Sequence, residues 1–257
     1  MSIDSSARID PKAEIDSDVT IGPWTIVGPN VQIGSGTVID SHVMIRANTK
    51  IGKDNRIFQF SSIGEDPADK KFEGEQTWLE IGDRNVLREG SNLHRGTGFG
   101  GGLTRVGSDN LLMPYVHIAH DCIVGNNTIF ANNVGISGHV EVDDWAILGG
   151  YAGVNQFLKI GAHAMVGGVT HIDHDVPAYM IVSGQPAVAR AINTIGLQRR
   201  GFDKPTIKQL RTAYKVIYMR GHSLQDAIAQ LKIMREDCDA LQLLIDSLES
   251  SKKGIHR

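Results

Sequence analysis

Several residues in the middle of the chain have the types and the spacing that proton transfer requires. His117 and His120 are three residues apart, Asp121 follows directly, and Gly138 and Gln156 come one and two intervals of eighteen residues after His120. Imidazole is the side chain best suited to taking and returning a proton near neutral pH. A carboxylate beside it can orient the ring and stabilise its charged form. These residues can act together only in a fold that returns the chain to the same place every eighteen residues.

A six-residue period of aliphatic side chains predicts a repetitive fold. Every sixth residue from Ile9 to Ile63 is aliphatic, and a second run from Val106 to Ile172 keeps the period with one phenylalanine. This period fits neither an α-helix nor a simple strand alternation, and it indicates a stacked repeat. The pattern resembles the hexapeptide-repeat family, whose fold is a left-handed parallel β-helix with three hexapeptides in each triangular coil. The resemblance supplies the handedness, because the general rule for crossovers gives the opposite hand.

On coils of eighteen residues, His120, Gly138 and Gln156 form one column, and Asp121 and His139 lie in the adjacent column, about 4.8 Å apart per coil. The Gly138 N–H would then lie above His120 and could stabilise an oxyanion. A zinc site is the alternative, because clustered imidazoles bind zinc and the γ-type carbonic anhydrases, which share the repeat, hold it between subunits. We favour a base with an orienting carboxylate, since no three-histidine cage is evident. The remaining histidines are interpreted as outward surface residues: His42, His94, His163, His171, His174, His222 and His256.

Glycines at matching heights predict a trough on the surface of the coils. They are Gly149 below Gly167 and Gly150 below Gly168. Adjacent columns without side chains leave space for an extended ligand such as an acyl chain, although glycines that only turn corners would give the same pattern. Other glycines directly follow an inward aliphatic residue, where we expect corners that need an unrestricted φ: Gly22, Gly28, Gly34 and Gly52.

The repeat predicts a β-helix over residues 1–188 followed by an α-helical domain over residues 189–257. Polar or glycine-rich segments at 65–78 and 98–104 interrupt the period and are expected to protrude as loops. The first long helix of the tail is expected to begin near Pro205. A solenoid this thin buries little beyond its own axis, so we expect side-by-side association, most simply a homotrimer.

The distribution of charge indicates an acidic ligand or partner for one part of the chain. The net charge is −3, but residues 190–220 carry eight Lys or Arg against one Asp, whereas residues 1–189 have a net charge of −9. A cationic face suits a phosphate-bearing ligand or an acidic protein, with an ordinary solvated helix face as the alternative. The acidic remainder makes duplex nucleic acid a poor candidate.

Compartment signals favour a cytoplasmic protein without stable membrane insertion. The sequence has no run of about eighteen apolar residues and no apolar N-terminal stretch that would serve as a secretion signal. Cys122 and Cys238 are far apart and lack metal or redox spacing, which fits two reduced thiols.

Six segments carry a closer resemblance to a known family. They are IGDRN at 81–85, HRGT at 94–97, GGGLTRVGSDNLLM at 100–113, HIAHDCIVGN at 117–126, GHVEVDDWAI at 138–147 and RRGF at 199–202. On these motifs the chain resembles, nearly end to end, the UDP-N-acetylglucosamine O-acyltransferase family (LpxA type). The resemblance implies transfer of an (R)-3-hydroxyacyl chain from acyl carrier protein to the glucosamine 3-hydroxyl of UDP-N-acetylglucosamine, the first step of lipid A biosynthesis in Gram-negative bacteria. It implies no metal and no organic cofactor, because the thioester already supplies an activated acyl group.

The resemblance also implies a role for each residue that matches the family's motifs. His120 would be the general base, Asp121 its orienting carboxylate and Gly138 the oxyanion donor. The sugar, the pyrophosphate and the acyl hydroxyl would be positioned by His117, His139, Asp69 and Lys71. The nucleotide and the approaching carrier would be bound by Gln156, Asn193, Arg199 and Arg200. Gly168 matches the position that sets acyl-chain length, and a glycine there implies a longer chain.

Three positions depart from the family's usual residues. Asn155 replaces a histidine, Ile195 a glutamate and Ala68 a glutamine. We therefore expect relaxed contacts to the acceptor and keep a 3-amino sugar nucleotide as an alternative acceptor.

Two other functions compete with acyl transfer to a hydroxyl. A related N-acyltransferase of the same pathway typically carries an additional N-terminal uridine-binding domain, for which a repeat beginning by Ile9 leaves no room. A purely structural solenoid would not require the clustered histidines.

Overall fold

The computed structural model describes residues 2–257, and the body of the protein is a triangular prism of stacked β coils. Strands are numbered in chain order; β1 to β26 belong in turn to three sheets, and β27 and β28 both join the first of them. Sheet A contains β1 (Ser2–Ile3), β4 (Thr20–Ile21), β7 (Val38–Ile39), β10 (Arg56–Ile57), β13 (Val86–Leu87), β16 (Leu111–Leu112), β19 (Ile129–Phe130), β22 (Ile147–Leu148), β25 (Met165–Val166), β27 (Met180–Ser183) and β28 (Val188–Ile192). Sheet B contains β2 (Arg8–Ile9), β5 (Ile26–Val27), β8 (Met44–Ile45), β11 (Ser62–Glu65), β14 (Asn92–His94), β17 (His117–Ile118), β20 (Gly135–Ile136), β23 (Gly153–Val154) and β26 (His171–Ile172). Sheet C contains β3 (Glu14–Ile15), β6 (Gln32–Ile33), β9 (Thr49–Ile51), β12 (Trp78–Ile81), β15 (Leu103–Val106), β18 (Ile123–Val124), β21 (Glu141–Val142) and β24 (Lys159–Ile160).

The register of the sheets confirms a coil of eighteen residues in the regular part of the prism. His117 pairs with Gly135 and Gly135 pairs with Gly153, each in parallel. Within each two-residue strand the second side chain points inward, and these side chains fill the axis: Ile57, Phe130 and Ile172 are fully buried. Alternation of side chains across a strand therefore leaves the first residue of each strand on the outer face of the prism.

The predicted reason for the glycines at the corners is wrong. The left-handed backbone falls two residues later, at non-glycine residues such as Trp24 and Asn30, and Gly22 itself has no positive φ. A Cβ on Gly22 would lie 2.8 Å from the backbone of the next coil, at Asp40 and Ser41. Gly22 is therefore required by close stacking of coils and not by conformational freedom; the Cβ positions of Gly28, Gly34 and Gly52 meet the next coil in the same way.

The two interruptions of the repeat lie between strands of neighbouring sheets. Residues 66–77 connect β11 to β12, and residues 95–102, which include a short 3₁₀ helix at Gly98–Gly100, connect β14 to β15. Both segments leave the prism where sheet B passes to sheet C. They therefore reach the same edge of the molecule.

Helices follow the last coils, and β28 returns antiparallel to β27 before the first of them. The helices are α1 (Thr194–Arg199), α2 (Lys204–Tyr218), α3 (Leu224–Met234) and α4 (Leu241–Glu249), with a 3₁₀ turn at Arg235–Asp237. Asp203 and Ser223 cap α2 and α3 by accepting from the N–H groups of Thr206 and Asp226. Within residues 2–257, no helix combines the length and the apolar character needed to cross a membrane. The division at residues 188/189 stays a prediction.

Candidate active site

His120 and Asp121 occupy the edge of the prism where sheet B passes to sheet C, which we call the B–C edge. His120 Nδ1 and Asp121 Oδ2 are 2.8 Å apart, and the Asp121 side chain is 1% exposed. Because a carboxylate only accepts, Nδ1 carries the proton and the Nε2 lone pair of His120 is free to accept another. The pair therefore has the geometry of a general base with its orienting carboxylate.

The groups around His120 are acidic or imidazole side chains at short range. Asp69, from the segment between β11 and β12, places Oδ2 3.9 Å from His120 Nε2. His139, one coil away, places Nε2 3.6 Å from Asp121 Oδ2, and its ring stacks on Phe157 with centroids 4.4 Å apart. Burial lowers the pKa of His139, so this imidazole is neutral at pH 7. Asp69 and His139 are both brought to the base, as the sequence predicts.

Gly138 lies directly against the His120 ring. A Cβ on Gly138 would be 2.5 Å from His120 Cε1 and 2.7 Å from Nε2, so any side chain there would displace the imidazole. Among the hydrogen bonds formed within residues 2–257, none uses the Gly138 N–H as donor. A free N–H beside a base is the arrangement that stabilises an oxyanion in acyl transfer.

His117 belongs to the same cluster, and it is accompanied by a histidine that the sequence analysis placed on the surface. His117 Nδ1 bonds to Asn92 Oδ1 at 2.9 Å, and burial lowers the pKa of His117. His94 packs edge-on against His117 with centroids 4.9 Å apart, is 8% exposed, and accepts the Ala68 N–H. Burial lowers the pKa of His94 to about 4. The interpretation of His94 as an outward residue is therefore wrong.

A depression beside these histidines has a floor without side chains. Gly135 and Gly153 are the outward residues of β20 and β23, and a Cβ on either would meet no atom within 4 Å. Neither glycine has a positive φ. Neither packing nor backbone conformation therefore requires glycine at these two positions. The two glycines instead keep the outer face of sheet B free of side chains between His117 and His171. Their eighteen-residue spacing was available in the sequence and was missed.

Only one of the two predicted glycine columns is open. A Cβ on Gly149 would lie 2.5 Å from Gly168 N, and one on Gly167 would lie 2.6 Å from the Ser183 Cβ, so both are packing glycines. Gly150 and Gly168 are less crowded: a Cβ on Gly150 would lie 3.4 Å from Asn132 O and one on Gly168 would lie 3.2 Å from Gly150 O, so a side chain there would need only a small shift of the neighbouring coil. They lie on the edge where sheet A passes to sheet B, opposite the His120 edge across the bare face of sheet B.

The predicted nucleotide-binding residues of the tail lie on a different edge from His120. Arg200 donates to Trp145 O at 2.8 Å and lies 3.1 Å from His163 Nδ1, on the edge where sheet C passes to sheet A, which we call the C–A edge. Asn193 is 4% exposed, donates to His163 O and caps α1 by accepting from Gly196 N–H. His163 is therefore a packed residue and not a surface one; burial, followed by the charge of Arg200, lowers its pKa to about 4.

The remaining predicted residues divide between these places. Gln156 lines the depression with Asn155, and Lys71 lies over the Phe99 ring at 5.8 Å, near the His120 edge. Arg199 is exposed at the end of α1. Within one chain, the width of sheet C separates Arg199 and Arg200 from His120.

Two groups of side chains within residues 2–257 have ligand atoms close enough for a metal ion. They are His120 with Asp121 and His139, and Asp173 with His174 and His256, each with atoms within 4.8 Å of one another. In the first group both oxygens of Asp121 already accept hydrogen bonds, from His120 and from Thr97. This donor set is arranged to hold a carboxylate beside a neutral imidazole, which suits proton transfer better than metal ligation.

Comparisons with known proteins agree with this geometry. Residues 175–256 match the family described as "Udp N-acetylglucosamine O-acyltransferase; Domain 2", and residues 103–138 match bacterial transferase hexapeptide repeats. The chain is 50% identical over 203 residues, 79% of each protein, to the acyl-[acyl-carrier-protein]--UDP-N-acetylglucosamine O-acyltransferase of Pseudomonas aeruginosa.

Solved structures give the same result over the whole chain. LpxA from Acinetobacter baumannii has a TM-score of 0.98 and 53% identity, covering 99% of both chains. The UDP-N-acetylglucosamine O-acyltransferase of Moraxella catarrhalis has a TM-score of 0.98 and 49% identity, covering 100% of both. The predicted fold class, a left-handed parallel β-helix followed by an α-helical part, is confirmed.

Proposed function

The chain belongs to the UDP-N-acetylglucosamine O-acyltransferase family, and we propose that it transfers an (R)-3-hydroxyacyl chain from acyl carrier protein to the glucosamine 3-hydroxyl of UDP-N-acetylglucosamine. It is an acyltransferase by this membership. The observation that carries the proposed chemistry is the His120–Asp121 pair at 2.8 Å with Gly138 packed against the imidazole and its N–H unused by any hydrogen bond within residues 2–257. The reaction would be the first step of lipid A biosynthesis, in the cytoplasm of a Gram-negative bacterium.

The mechanism follows from the free positions of these groups. His120 Nε2 accepts the proton of the 3-hydroxyl as that oxygen attacks the thioester carbonyl carbon. The carbonyl oxygen becomes an oxyanion and accepts a hydrogen bond from the Gly138 N–H. When the C–S bond breaks, the sulfur leaves on the carrier and takes the proton back from His120, so the products are an ester and a thiol. Asp121 stays ionised and stabilises the imidazolium between the two proton transfers.

The bare face of sheet B is the proposed path of the acyl chain. It begins at the His120 edge, crosses Gly135 and Gly153, and reaches Gly150 and Gly168 on the opposite edge. A path free of side chains accommodates a long methylene chain by contact alone. Gly168 lies at the far end of this path, which supports the role implied by the resemblance as the position that limits chain length.

We propose that side chains around His120 contact the sugar nucleotide that accepts the acyl chain. Asp69, His117, His139 and Lys71 lie near His120 and would position the sugar and the acyl hydroxyl. Ala68 and Asn155 line the same depression, where the family usually has longer or titratable side chains. These shorter or non-titratable side chains relax the contacts to the acceptor, so a 3-amino sugar nucleotide is kept as the second candidate acceptor.

A complete site requires a second copy of the chain under this proposal. Arg199 and Arg200 lie on the C–A edge and cannot serve a nucleotide at the B–C edge of their own prism, whereas the C–A edge of a neighbour can face it. Sheet A offers a contact surface for such a neighbour, because its outward residues from β13 to β25 form an apolar column: Val86, Leu111, Ile129, Ile147 and Met165. The exposed Arg56 of β10 separates this column from Val38. A homotrimer with its sites between subunits closes this arrangement.

The carrier protein is proposed to approach along α2. Lys204, Lys208, Arg211 and Lys215 are exposed and follow one another at intervals of four, three and four residues, so they form one cationic stripe. The docking surfaces of acyl carrier proteins are acidic, and complementary charge accelerates encounter.

The decisive experiment combines purified protein with 3-hydroxyacyl carriers of several lengths and with UDP-N-acetylglucosamine or its 3-amino analogue, and identifies the product by mass. We expect an acyl ester at the 3-position and a loss of about 10²–10⁴ in rate for His120→Ala. A large preference for the hydroxyl acceptor would rule out the 3-amino alternative. Formation of the ester by His120→Ala at the wild-type rate would contradict the proposed mechanism.

A further inference from the structure

Thr97 holds the carboxylate of Asp121 from the side opposite His120. Its N–H donates to Asp121 Oδ1 at 2.8 Å, and its hydroxyl donates to Oδ2 at 2.6 Å. Thr97 is fully buried. The same Oδ2 accepts from His120 Nδ1 at 2.8 Å. One residue outside the proposed catalytic pair thus makes a two-point contact, through its backbone N–H and its hydroxyl, with the group that orients the base.

The loop that carries Thr97 is shaped around this contact. Thr97 caps the short 3₁₀ helix Gly98–Gly100, because its hydroxyl also accepts the Gly100 N–H at 3.1 Å. A Cβ on Gly100 would lie 2.2 Å from Asp121 Cγ, although Gly100 has no positive φ. Glycine is required at position 100 only so that the loop can approach the Asp121 carboxylate. Two independent features, the hydrogen bonds and the missing Cβ, therefore converge on one group.

The backbone of Asp121 is fixed from a third direction. Its N–H donates to Thr104 Oγ1 at 2.7 Å. The loop itself is held next to Thr97 by Glu75, whose Oε1 accepts the Gly98 N–H at 2.9 Å. Glu75 lies in the same segment as Asp69, so the two irregular segments are joined at the site.

We propose that Thr97 is a positioning residue for acyl transfer, which acts by fixing the Asp121 carboxylate so that its Oδ2 holds the His120 ring in the attacking orientation. The proposal rests on the proposed function of His120 as general base. A carboxylate with a side chain 1% exposed and three donors has little freedom to rotate, whereas one that loses the hydroxyl of Thr97 can turn about its Cβ–Cγ bond. Displacement of a catalytic group by about 1 Å lowers a rate by about 10²-fold.

Loss of the Thr97 hydroxyl also changes the hydrogen bonds at the oxygen that His120 contacts. Asp121 Oδ2 accepts from both the Thr97 hydroxyl and His120 Nδ1, so without the hydroxyl His120 Nδ1 is the remaining hydrogen-bond donor to that oxygen. The other titratable groups that face His120 are Asp69 at 3.9 Å and His139, with His117 and His94 behind them. None of these four bonds to Thr97, so the change at position 97 reaches His120 only through Asp121.

The test compares Thr97→Val, which removes only the hydroxyl, with Thr97→Ser, which keeps it. The matched control is Thr128→Val, because Thr128 is equally buried and donates to the side-chain oxygen of Asn110 at 2.7 Å, on a different face of the prism. We expect Thr97→Val to lower kcat about 10–10²-fold with KM unchanged. Thr97→Ser and Thr128→Val should retain the wild-type kcat and KM.

A readout without substrate separates this proposal from the proposed function. The Nδ1–H proton resonance of His120, assigned by its loss in His120→Gln, is observed by NMR in the wild type and in Thr97→Val. In Thr97→Val it should shift and exchange faster with solvent, because Asp121 no longer holds the ring in one orientation, whether or not the acyl acceptor has been identified correctly. An unchanged resonance together with an unchanged kcat in Thr97→Val would overturn the positioning role. A rate loss that Thr97→Ser fails to restore, or that Thr128→Val shares, would also overturn it. If the wild type had no acyltransferase activity but Thr97→Val still showed the expected change in the His120 resonance, only the proposed function would be overturned.

Discussion

The separation of the two edges makes a prediction about subunits that can be tested with inactive variants. His120→Ala removes the base at the B–C edge, and Arg199→Ala removes an exposed guanidinium next to the C–A edge. Each homotrimer should be inactive or nearly so. If each site takes His120 from one subunit and Arg199 from its neighbour, the two variants should complement each other when they assemble together.

The size of the recovery follows from the symmetry of the assembly. In trimers assembled at random from equal amounts of the two variants, half of the sites have an intact His120, and half of those face an intact Arg199. A quarter of all sites are therefore intact. Because trimers of a single variant have none, each mixed trimer has one intact site in three, and about a third of the wild-type specific activity is expected from purified mixed trimers. If both residues of one site came from the same chain, no subunit in the mixture would carry both, and the activity would stay at the level of the separate variants.

The assay uses co-expression with two affinity tags, so that only mixed trimers are purified, and measures ester formation against the wild type. Mixing the two homotrimers after purification, without exchange of subunits, is the control and should recover nothing. Two inactive variants that fail to complement after co-expression would refute the shared site. Full activity of the Arg199→Ala homotrimer would refute the role of that arginine instead.

Three further predictions concern the acyl path, the carrier and the buried imidazoles. Gly153→Val should leave the melting temperature unchanged and abolish use of long acyl chains, because the valine side chain fills open space on the outer face of sheet B. Gly149→Ala, which meets the backbone of the next coil, should instead destabilise the fold. A Gly153→Val enzyme with the wild-type acyl-chain preference would contradict the proposed path. Lys208→Glu reverses one charge of the cationic stripe on α2 and should raise the KM for acyl carrier protein about 10-fold at low salt, without changing the KM for an acyl-pantetheine donor. An equal effect on both donors would argue against docking of the carrier at α2. Burial lowers the pKa of His94 to about 4, below its value in the unfolded chain, so the unfolded state binds this proton at a higher pH than the folded state does. The free energy of unfolding should therefore fall by about 3 kcal/mol as the pH drops from 7 to 4. Urea titrations of His94→Asn should show a flatter dependence, and an unchanged slope would contradict the buried neutral imidazole.

The sequence is informative about this protein where the repeat is regular and uninformative where it is not. The six-residue period predicts the inward side chains, and the resemblance to hexapeptide-repeat proteins implies three such units in each coil; together they place His120, Gly138 and Gln156 on one edge. The neighbours of a regular coil follow from arithmetic, because each coil repeats the same backbone path. The contacts of Thr97 and His94 could not be found in this way, since they depend on how two irregular loops fold back onto the prism.

The tail shows the same limit for a different reason. Capping residues in the sequence predict where α2 and α3 begin, since a side chain at the N-cap acts locally. They carry no information on which edge of the prism the tail covers. The position of Arg200 against Trp145 and His163 is a tertiary contact between residues 55 and 37 positions apart, and only the structure separates it from His120.

Backbone strain at the site is a property of the fold and not of the chemistry. Asp121 and His139 have φ values of 60° and 61°, which in an isolated active site would suggest stored strain. The same conformation recurs at corners far from any proposed chemistry, at Trp24 and Asn30 for example. It is therefore the ordinary means by which each coil turns, with its energy offset by the stacking of the next coil. What distinguishes the His120 corner is the chemistry of its side chains and the loop that closes over Asp121. A corner elsewhere on the prism given a histidine and an aspartate, but no Thr97, would consequently hold the pair without fixing its orientation.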